Sequence, residues 1–279
     1  MTTPVTRLVF SDLDGSLLDH YSYSYEAALP QMEALERAGI PLILVSSKTR
    51  AEILILRDEL ANRHPFIVEN GAAVFIPQQY FENQPAGTVA RDGYWVCEMA
   101  PPRGQWLAVL KDLESEFPGC FDSFHRAGVA GIMAMTGLSE LQAIAANQRE
   151  YSEPVRWLAE PEREAQFLKR LREAGATVAK GGRFLAVAGL SDKGQALVWL
   201  RNCYQRAAGG GIVDDIAIGD SANDCPMLEA AGTALLVRSP VHDFPSLNKR
   251  DRVSRSSSCG PAGWAQGVAR WLQSNNFSA

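Results

Sequence analysis

Two pairs of aspartates in this sequence have a spacing that could support metal-dependent chemistry. The first pair, Asp12 and Asp14, lies in the segment Asp12-Leu13-Asp14-Gly15. In an extended segment, residues two apart point to the same side, so both carboxylates can face one point. Two carboxylates that close together raise each other's pKa unless a cation lies between them, and Mg²⁺ prefers such oxygen ligands where phosphate is also bound. The alternative for these residues is a turn closed by an aspartate side chain and a glycine.

The second pair, Asp220 and Asp224, lies in a segment that begins with Gly219 and includes Asn223. Residues four apart share one face of a helix, so both carboxylates can point toward the same cation. The alternative is that Asp220 or Ser221 caps the helix. A cap requires only one of these polar residues, whereas the segment has several, so we predict that it binds a metal ion.

A hydroxyl group and an ammonium group could complete a phosphate site. Ser46 follows an apolar run and could donate a hydrogen bond to a phosphoryl oxygen, and Lys193 at the start of a predicted helix could offset negative charge. Taken singly, each could be a helix cap or a solvated surface residue. Their order among the aspartates favours a site for phosphoryl transfer.

The elements that position these residues are predicted from apolar runs that end in them. Predicted strands cover residues 8–10, 41–45, 66–68 and 215–218, and predicted helices end at Ala38, cover residues 49–62 and run from Ser191 through Trp199. Alternating strands and helices predict an α/β fold with a doubly wound parallel sheet. Ligands of such sheets bind at the carboxyl ends of the strands, where the polar residues are predicted to lie.

The middle of the chain has a different character and predicts an inserted α+β domain. Short strands are predicted over residues 94–96, 132–134 and 155–157, and helices over residues 105–117 and 162–174. The predicted organisation is therefore a first core segment over 1–84, an inserted domain over 85–186 and a second core segment over 187–279. In the last segment, an exposed loop is predicted over 249–258 and a helix over about 262–273.

Composition excludes several other classes of protein. The 279 residues are 46% hydrophobic and 21% charged with a net charge of −5, which is typical of a globular protein and unsuited to non-specific nucleic-acid binding. No apolar run approaches the ~18 residues expected of a membrane span. The first residues do not resemble a secretory signal, and the five scattered cysteines include no Cys-x-x-Cys. We therefore expect reduced thiols and a cytoplasmic location.

Together, the charged and hydroxyl residues closely resemble the four motifs of the haloacid dehalogenase phosphatases, and the resemblance covers the whole chain. The segment beginning at Asp12 matches the first motif, with Ser16 where threonine is common. Ser46 matches the second motif, Lys193 the third, and Asp220 through Asp224 the fourth. The resemblance implies a Rossmann-like core, and the insertion between the second and third motifs is similar to the C2B type of cap domain.

Shorter segments narrow the resemblance to the mannosyl-3-phosphoglycerate phosphatases: residues 45–49 (Val-Ser-Ser-Lys-Thr), 69–72 (Glu-Asn-Gly-Ala), 181–184 (Gly-Gly-Arg-Phe) and 260–264 (Gly-Pro-Ala-Gly-Trp). A small phosphorylated sugar is the implied substrate, and substrate contacts are expected from Ser47, Lys48, Glu69, Asn70, Arg183 and Asn223. The guanidinium group of Arg183 would suit the carboxylate of a phosphoglycerate ester.

The resemblance also implies a role for each catalytic residue. Asp12 would attack phosphorus and form an aspartyl-phosphate. Asp14 would protonate the leaving alcohol and then activate water, while its backbone carbonyl binds Mg²⁺. Carboxylates of Asp12 and Asp220 would bind the metal, and Asp224 would bind it directly or through water.

Other activities are compatible with the same motifs. A phosphomutase of similar fold would share Asp12 and Asp14, and a glucosyl-3-phosphoglycerate or sucrose-phosphate phosphatase is a nearer alternative. A dehalogenase would not need Asp14 or the acidic segment at Asp220. An inactive α/β binding module is disfavoured because every expected charged group is present.

Overall fold

The computed structural model describes residues 5–181 and 183–274, so Gly182 of the Gly-Gly-Arg-Phe segment lies outside the described residues. The strands are β1 Val5–Ser11, β2 Leu42–Val45, β3 Phe66–Val68, β4 Ala73–Pro77, β5 Val89–Arg91, β6 Tyr94–Glu98, β7 Phe121–Ser123, β8 Glu153–Trp157, β9 Thr177–Gly181, β10 Phe184–Ala188, β11 Ile212–Gly219, β12 Thr233–Arg238 and β13 Val253–Cys259. The α-helices are α1 Leu29–Arg37, α2 Arg50–Glu59, α3 Arg103–Leu113, α4 Phe124–Thr136, α5 Glu140–Asn147, α6 Pro161–Glu173, α7 Lys193–Ala207, α8 Cys225–Ala230 and α9 Gly260–Ser274.

The larger of two sheets has nine strands in the order β13-β12-β11-β1-β2-β3-β4-β6-β5. The six strands from β13 to β3 are parallel, whereas β4 pairs antiparallel with β3, and β5 pairs antiparallel with β6. The chain leaves β1 toward β2 on one side and later places β11 on the other side. This reversal of strand order is where open parallel sheets bind their ligands. The predicted α/β fold with a doubly wound parallel core is confirmed.

The strands nearest this reversal are buried, as expected of parallel strands covered by helices on both faces. Leu8, Val9 and Phe10 of β1 and all four residues of β2 are buried. On α9, the side chains of Trp264 and Val268 are fully buried. The apolar runs at β1 and β2 therefore lie in the strands that were predicted from them.

The described residues group into two compact units that divide after Ser46, Ala61, Cys97 and Ser191. The first unit contains the nine-stranded sheet apart from the last residue of β6. The second contains α2 and a four-stranded antiparallel sheet in the order β7-β8-β10-β9. Its core includes buried aromatic and aliphatic side chains from α3, α6 and this sheet, among them Trp106, Phe121, Val155, Phe167 and Leu185. The domain boundaries at 85 and 186 stay a prediction.

Two local predictions are wrong. Residues 132–134 were expected to form a strand but lie in α4, where Ile132 is fully buried. A three-residue apolar run has no periodicity that separates a strand from a buried helical turn. The expected loop over residues 249–258 contains most of β13, a serine-rich edge strand that pairs with β12. Serine has no strong preference for strands, so the pairing itself determines this strand.

Among the described residues, the helices are too short or too polar to cross a membrane.

Candidate active site

Three neighbouring strands end at the candidate site. The register pairs Ser11 at the end of β1 with Ile218 of β11 and Leu44 of β2. Asp12 follows β1 directly, and its backbone N–H donates to the carbonyl of Ile218 at 2.9 Å. Asp220 follows β11, and Ser46 follows β2. Because parallel strands carry their carboxyl ends to one edge of the sheet, residues far apart in sequence lie together there.

Carboxylate oxygens of Asp12, Asp220 and Asp224 lie within 4.8 Å of one another, and all three residues are buried. The Nζ atom of Lys193, the first residue of α7, lies 2.6 Å from Oδ1 of Asp12 and 2.6 Å from Oδ1 of Asp224. Lys193 is fully buried as well. The structure therefore places the predicted lysine between two of the predicted aspartates.

Asp224 also holds the backbone of its own loop. Its Oδ2 accepts hydrogen bonds from the backbone N–H groups of Asp220 at 3.1 Å and Ser221 at 3.0 Å. Both of its oxygens therefore have protein partners, since Oδ1 accepts from Lys193. Asp224 thus stabilises the loop after β11 and is also a member of the acidic cluster.

Two features fix the position of the segment that contains Asp12. Gly15 has a φ of +80°, and a Cβ atom at this position would lie 2.5 Å from Oδ2 of Asp220, so only glycine fits. The indole N–H of buried Trp264 donates to Oγ of Ser11 at 2.9 Å, and the Ser11 hydroxyl donates to the carbonyl of Asp12 at 2.7 Å. These hydrogen bonds connect α9 to the backbone of the first aspartate.

The buried charges perturb one another strongly. Burial raises the pKa of Asp12 well above its usual range, and Asp224 adds to this effect while Lys193 opposes it. Burial and the neighbouring Asp224 raise the pKa of Asp220 to about 6. Burial alone would lower the pKa of Lys193, but Asp12 and Asp224 raise it above the ordinary value, so the ammonium form is favoured.

The donor set suits a hard dication. Three carboxylates face one ammonium group, which leaves two negative charges uncompensated when all are ionised. Carboxylate oxygens are the ligands that Mg²⁺ prefers. Burial is the main cause of the raised pKa values of Asp12 and Asp220, and the neighbouring carboxylate of Asp224 adds to it, so a second positive charge would favour the ionised forms. The residues present therefore fit a divalent metal ion.

Other predicted residues of the first unit lie around the same strand ends. The carbonyl of Ser46 accepts a hydrogen bond from the backbone of Asn70 at 2.9 Å. Asn70 Oδ1 in turn accepts from Nδ2 of Asn223 at 3.1 Å. Glu69 is buried, and both Glu69 and Asn70 have positive φ angles, 46° and 59°. The structure thus brings Ser46, Asn70 and Asn223 into one chain of hydrogen bonds.

Three predicted substrate-binding residues, Ser47, Lys48 and Arg183, belong to the second unit. The carbonyl of Ser47 accepts from both terminal nitrogens of Arg149 at 3.2 and 3.3 Å, and Lys48 is half-buried. The guanidinium of Arg183 donates to the carbonyl of Met135 at 2.9 Å and more weakly to that of Thr136. In this structure Arg183 therefore caps the C-terminal end of α4.

Sequence reasoning missed three residues around the site. Asp192 caps α7, because its Oδ1 accepts from the backbone of Gln195 at 2.8 Å, and an aspartate before a helix is a signal that could have been recognised. His242 places Nε2 at 3.5 Å from Oδ2 of Asp220, although nothing in its local sequence indicates this. Ser11 could not be identified as the link to Trp264 because the two are far apart in sequence.

Comparisons with known proteins identify the family of this chain and proteins of similar fold. Residues 9–88 match the family model of haloacid dehalogenase-like hydrolases. A glucosyl-3-phosphoglycerate/mannosyl-3-phosphoglycerate phosphatase of Methanococcoides burtonii is 34% identical over 270 residues, which are 97% of this chain and 98% of the relative. A phosphatase of the haloalkanoate superfamily from Bacteroides thetaiotaomicron has a similar fold, with a TM-score of 0.65, 16% identity and 96% of both chains covered. The sucrose-phosphatase of Synechocystis, solved with sucrose and phosphate, has a TM-score of 0.60 at 15% identity, covering 96% of this chain and 98% of that one.

Proposed function

Because this chain belongs to the haloacid dehalogenase-like hydrolases and is a phosphoric monoester hydrolase, we propose that it is a Mg²⁺-dependent phosphatase of mannosyl- or glucosyl-3-phosphoglycerate. The observation that carries the chemistry is the buried cluster of Asp12, Asp220 and Asp224 around Lys193. The substrate is supported by the full-length similarity to a phosphatase whose name includes both compounds.

Mg²⁺ would be held by the carboxylates of Asp12 and Asp220 and by the backbone carbonyl of Asp14, with Asp224 binding directly or through water. When bound, the metal would screen the anionic nucleophile from the anionic phosphate and stabilise charge in the transition state. The close approach of Gly15 to Asp220 keeps the first and fourth motifs near enough for shared ligation.

In the first half of the reaction, a carboxylate oxygen of Asp12 forms a bond to phosphorus while the bond from phosphorus to the ester oxygen breaks. The product on the protein is an aspartyl-phosphate. The ester oxygen leaves as an alcohol after taking a proton from the carboxyl group of Asp14. Lys193 holds Oδ1 of Asp12 at 2.6 Å, which fixes the nucleophile and offsets negative charge as phosphate approaches.

In the second half, Asp14 takes a proton from a water molecule whose oxygen attacks phosphorus. The acyl-phosphate bond breaks, and Asp12 and inorganic phosphate are released. Asp14 is half-buried and its side chain is not a member of the acidic cluster, which suits a residue that exchanges protons rather than one that neutralises a cation.

The remaining predicted residues would bind the substrate. The hydroxyl of Ser46 would donate to a phosphoryl oxygen, and the linked amides of Asn70 and Asn223 would stand beside it. Glu69 and the second-unit residues Ser47, Lys48 and Arg183 complete the proposed set. For Arg183, capping of α4 is a competing structural role.

Phosphate release from a panel of esters tests the proposal. The purified protein is assayed with mannosyl-3-phosphoglycerate, glucosyl-3-phosphoglycerate, sucrose 6-phosphate and mannose 1-phosphate, each with Mg²⁺ and with excess chelator. We expect one of the first two to be the best substrate. Chelator should stop release and Mg²⁺ should restore it, whereas Ca²⁺ should restore little because its coordination shell is larger and looser.

Two outcomes would contradict the proposal. Full activity in excess chelator would overturn the metal assignment. Conversion of mannose 1-phosphate to another sugar phosphate without release of phosphate would instead identify a phosphomutase.

A further inference from the structure

A cavity of about 440 Å³ is lined by seven consecutive residues, 238–244, that begin at the end of β12. This volume lies within the range of small-molecule sites. The lining includes Arg238, His242 and Asp243, so it is polar and suits a charged group rather than an apolar one.

The cavity borders the acidic cluster within the first unit. His242 lines the cavity, and its Nε2 lies 3.5 Å from Oδ2 of Asp220. β12 is the parallel neighbour of β11, whose end carries Asp220. A group bound in the cavity would therefore lie beside Asp220, one of the proposed metal ligands.

The guanidinium group of Arg238 has no partner among the described residues. Within the ranges 5–181 and 183–274, its side chain makes no ion pair or hydrogen bond, while its backbone N–H donates to Oγ of Ser256 at 2.8 Å. Arg183 differs, because its guanidinium donates to the end of α4. A guanidinium fork matches a carboxylate with two parallel hydrogen bonds.

We propose that this cavity binds a carboxylate of the substrate and that Arg238 is the residue that binds it. The inference rests on the proposed function, since the glycerate group of the proposed substrate carries such a carboxylate. In 3-phosphoglycerate, two carbon atoms separate the ester oxygen from the carboxyl carbon. The carboxylate of a bound ester therefore lies close to its phosphate. A cavity that binds this carboxylate must lie close to the acidic cluster, and this cavity does, since His242 contacts Asp220.

Asp243 opposes this binding. It lines the same cavity and would repel a carboxylate, so its removal should strengthen binding while removal of Arg238 weakens it. Opposite effects from two residues of one cavity are a specific signature of charge recognition.

Competition with a chromogenic substrate tests the proposal. Hydrolysis of p-nitrophenyl phosphate is measured with 3-phosphoglycerate or glycerol 3-phosphate as competitor; the two differ in that the first has a carboxylate where the second has a hydroxymethyl group. The ratio of their inhibition constants measures the selectivity for the carboxylate. We expect wild type to prefer 3-phosphoglycerate, and Arg238→Gln to reduce that ratio by ~10- to 100-fold, the effect of losing a charged hydrogen bond.

Further variants serve as controls. Arg238→Lys should retain part of the selectivity, and Asp243→Asn should increase it by ~2- to 5-fold. Arg255, which is exposed and contacts the ring of Phe244 at 5.7 Å, lies outside the lining, so Arg255→Gln should leave the ratio unchanged. Thermal denaturation of each variant checks that it is folded.

The inference is overturned if wild type does not prefer 3-phosphoglycerate, if Arg238→Gln leaves the ratio unchanged, or if Arg183→Ala reduces it instead. A failure of the proposed function is distinguishable, because the competition assay does not require hydrolysis of a glycosyl ester. Wild type would then release no phosphate from either glycosyl-3-phosphoglycerate, while the dependence of selectivity on Arg238 could still be observed.

Discussion

Two clusters of buried charge, one in each unit, differ in their balance. In the second unit, Glu153 is fully buried and lies 2.6 Å from Nε of Arg103, whose other nitrogens donate to the backbone and side-chain oxygens of Asn147. One carboxylate there meets one guanidinium. In the first unit, Asp12 and two further aspartates share the single ammonium group of Lys193.

The comparison indicates how a structural cluster differs from a catalytic one. A balanced buried pair with its hydrogen bonds satisfied positions local structure, and breaking it is costly because one charge is left alone. An unbalanced cluster of like charges lowers the free energy of unfolding until a cation binds. Its presence is therefore explained by function and not by stability. Four predictions test this difference, from the largest expected effect to the smallest.

Asp12→Asn should lower turnover of any phosphate ester by ~10³-fold or more, because the amide has no nucleophilic oxygen anion. The fold should survive, since the substitution removes a buried negative charge from a cluster with an excess of them. Turnover and the melting midpoint are measured together. Asp112→Asn, at an exposed position on α3, is the matched control and should change neither. A variant at position 12 that retained more than a few per cent of wild-type turnover would exclude the covalent mechanism.

Arg103→Met should lower the free energy of unfolding by about 3–5 kcal/mol, because it leaves Glu153 charged and buried without its partner. Chemical denaturation measures this, and the loss should be found in the transition of the second unit if the two units unfold separately. Glu150→Gln breaks a more exposed pair with Arg50 and should cost under ~1 kcal/mol. Equal losses from the two substitutions would mean that burial does not distinguish these pairs.

Asp220→Asn should raise the free energy of unfolding of the metal-free protein at pH 7.5 by about 2–3 kcal/mol. In the folded protein, burial and Asp224 raise the pKa of Asp220 from 3.8 to about 6, so the folded state binds this proton more tightly than the unfolded state. Stability should therefore fall as pH rises from about 4 to 6, and the variant should lose that dependence.

The measurement is denaturation in excess chelator at several pH values. Below about pH 4 the carboxyl group is protonated in both states, and wild type and variant should converge. With Mg²⁺ present, wild type should gain stability and the variant should gain less. An advantage of the variant that persisted unchanged at pH 3.5 would show that charge is not its cause.

Ser11→Ala should cost about 1–2 kcal/mol, the smallest of these effects, because it leaves the Trp264 indole N–H and the Asp12 carbonyl each without one hydrogen bond. Denaturation measures the loss. Ser257→Ala, at a hydroxyl whose hydrogen bond to Gln266 is exposed to solvent, is the control and should cost less. If Ser11→Ala leaves the free energy of unfolding unchanged, a water molecule has replaced the hydroxyl as hydrogen-bond partner.

Much of the first unit could be predicted from local sequence. The apolar run at residues 8–10 and the polar residues that follow it predict both a buried strand and the position of Asp12 at its end. The last helix could be predicted over 262–273 and is observed over 260–274. Where apolar residues recur with the period of a strand or a helix, the local pattern correctly predicts which residues are buried.

The edge strand β13 and the short apolar run at Ile132 could not be predicted from local sequence. β13 is half-exposed and rich in serine, so only its pairing with β12 makes it a strand. Ile132 lies in a short apolar run that could belong to either type of element, and packing on α4 decides the outcome. For such segments, the free energy comes from partners that are distant in sequence.

The sequence by itself determined which chemical groups this protein can use, because the aspartates, lysine and serine occur in an order and spacing that predict phosphoryl transfer. Only the tertiary structure decided which charges share a site. Lys193 reaches Asp12 across 181 residues, and Trp264 reaches Ser11 across 253. The same holds for the contrast between Arg183, held by the end of α4, and Arg238, whose side chain has no partner among the described residues. Arg183 lies in a segment that carries the family resemblance, whereas Arg238 was not identified from its sequence. Packing alone determines whether their hydrogen-bond donors are already used, since those contacts form only after distant segments meet.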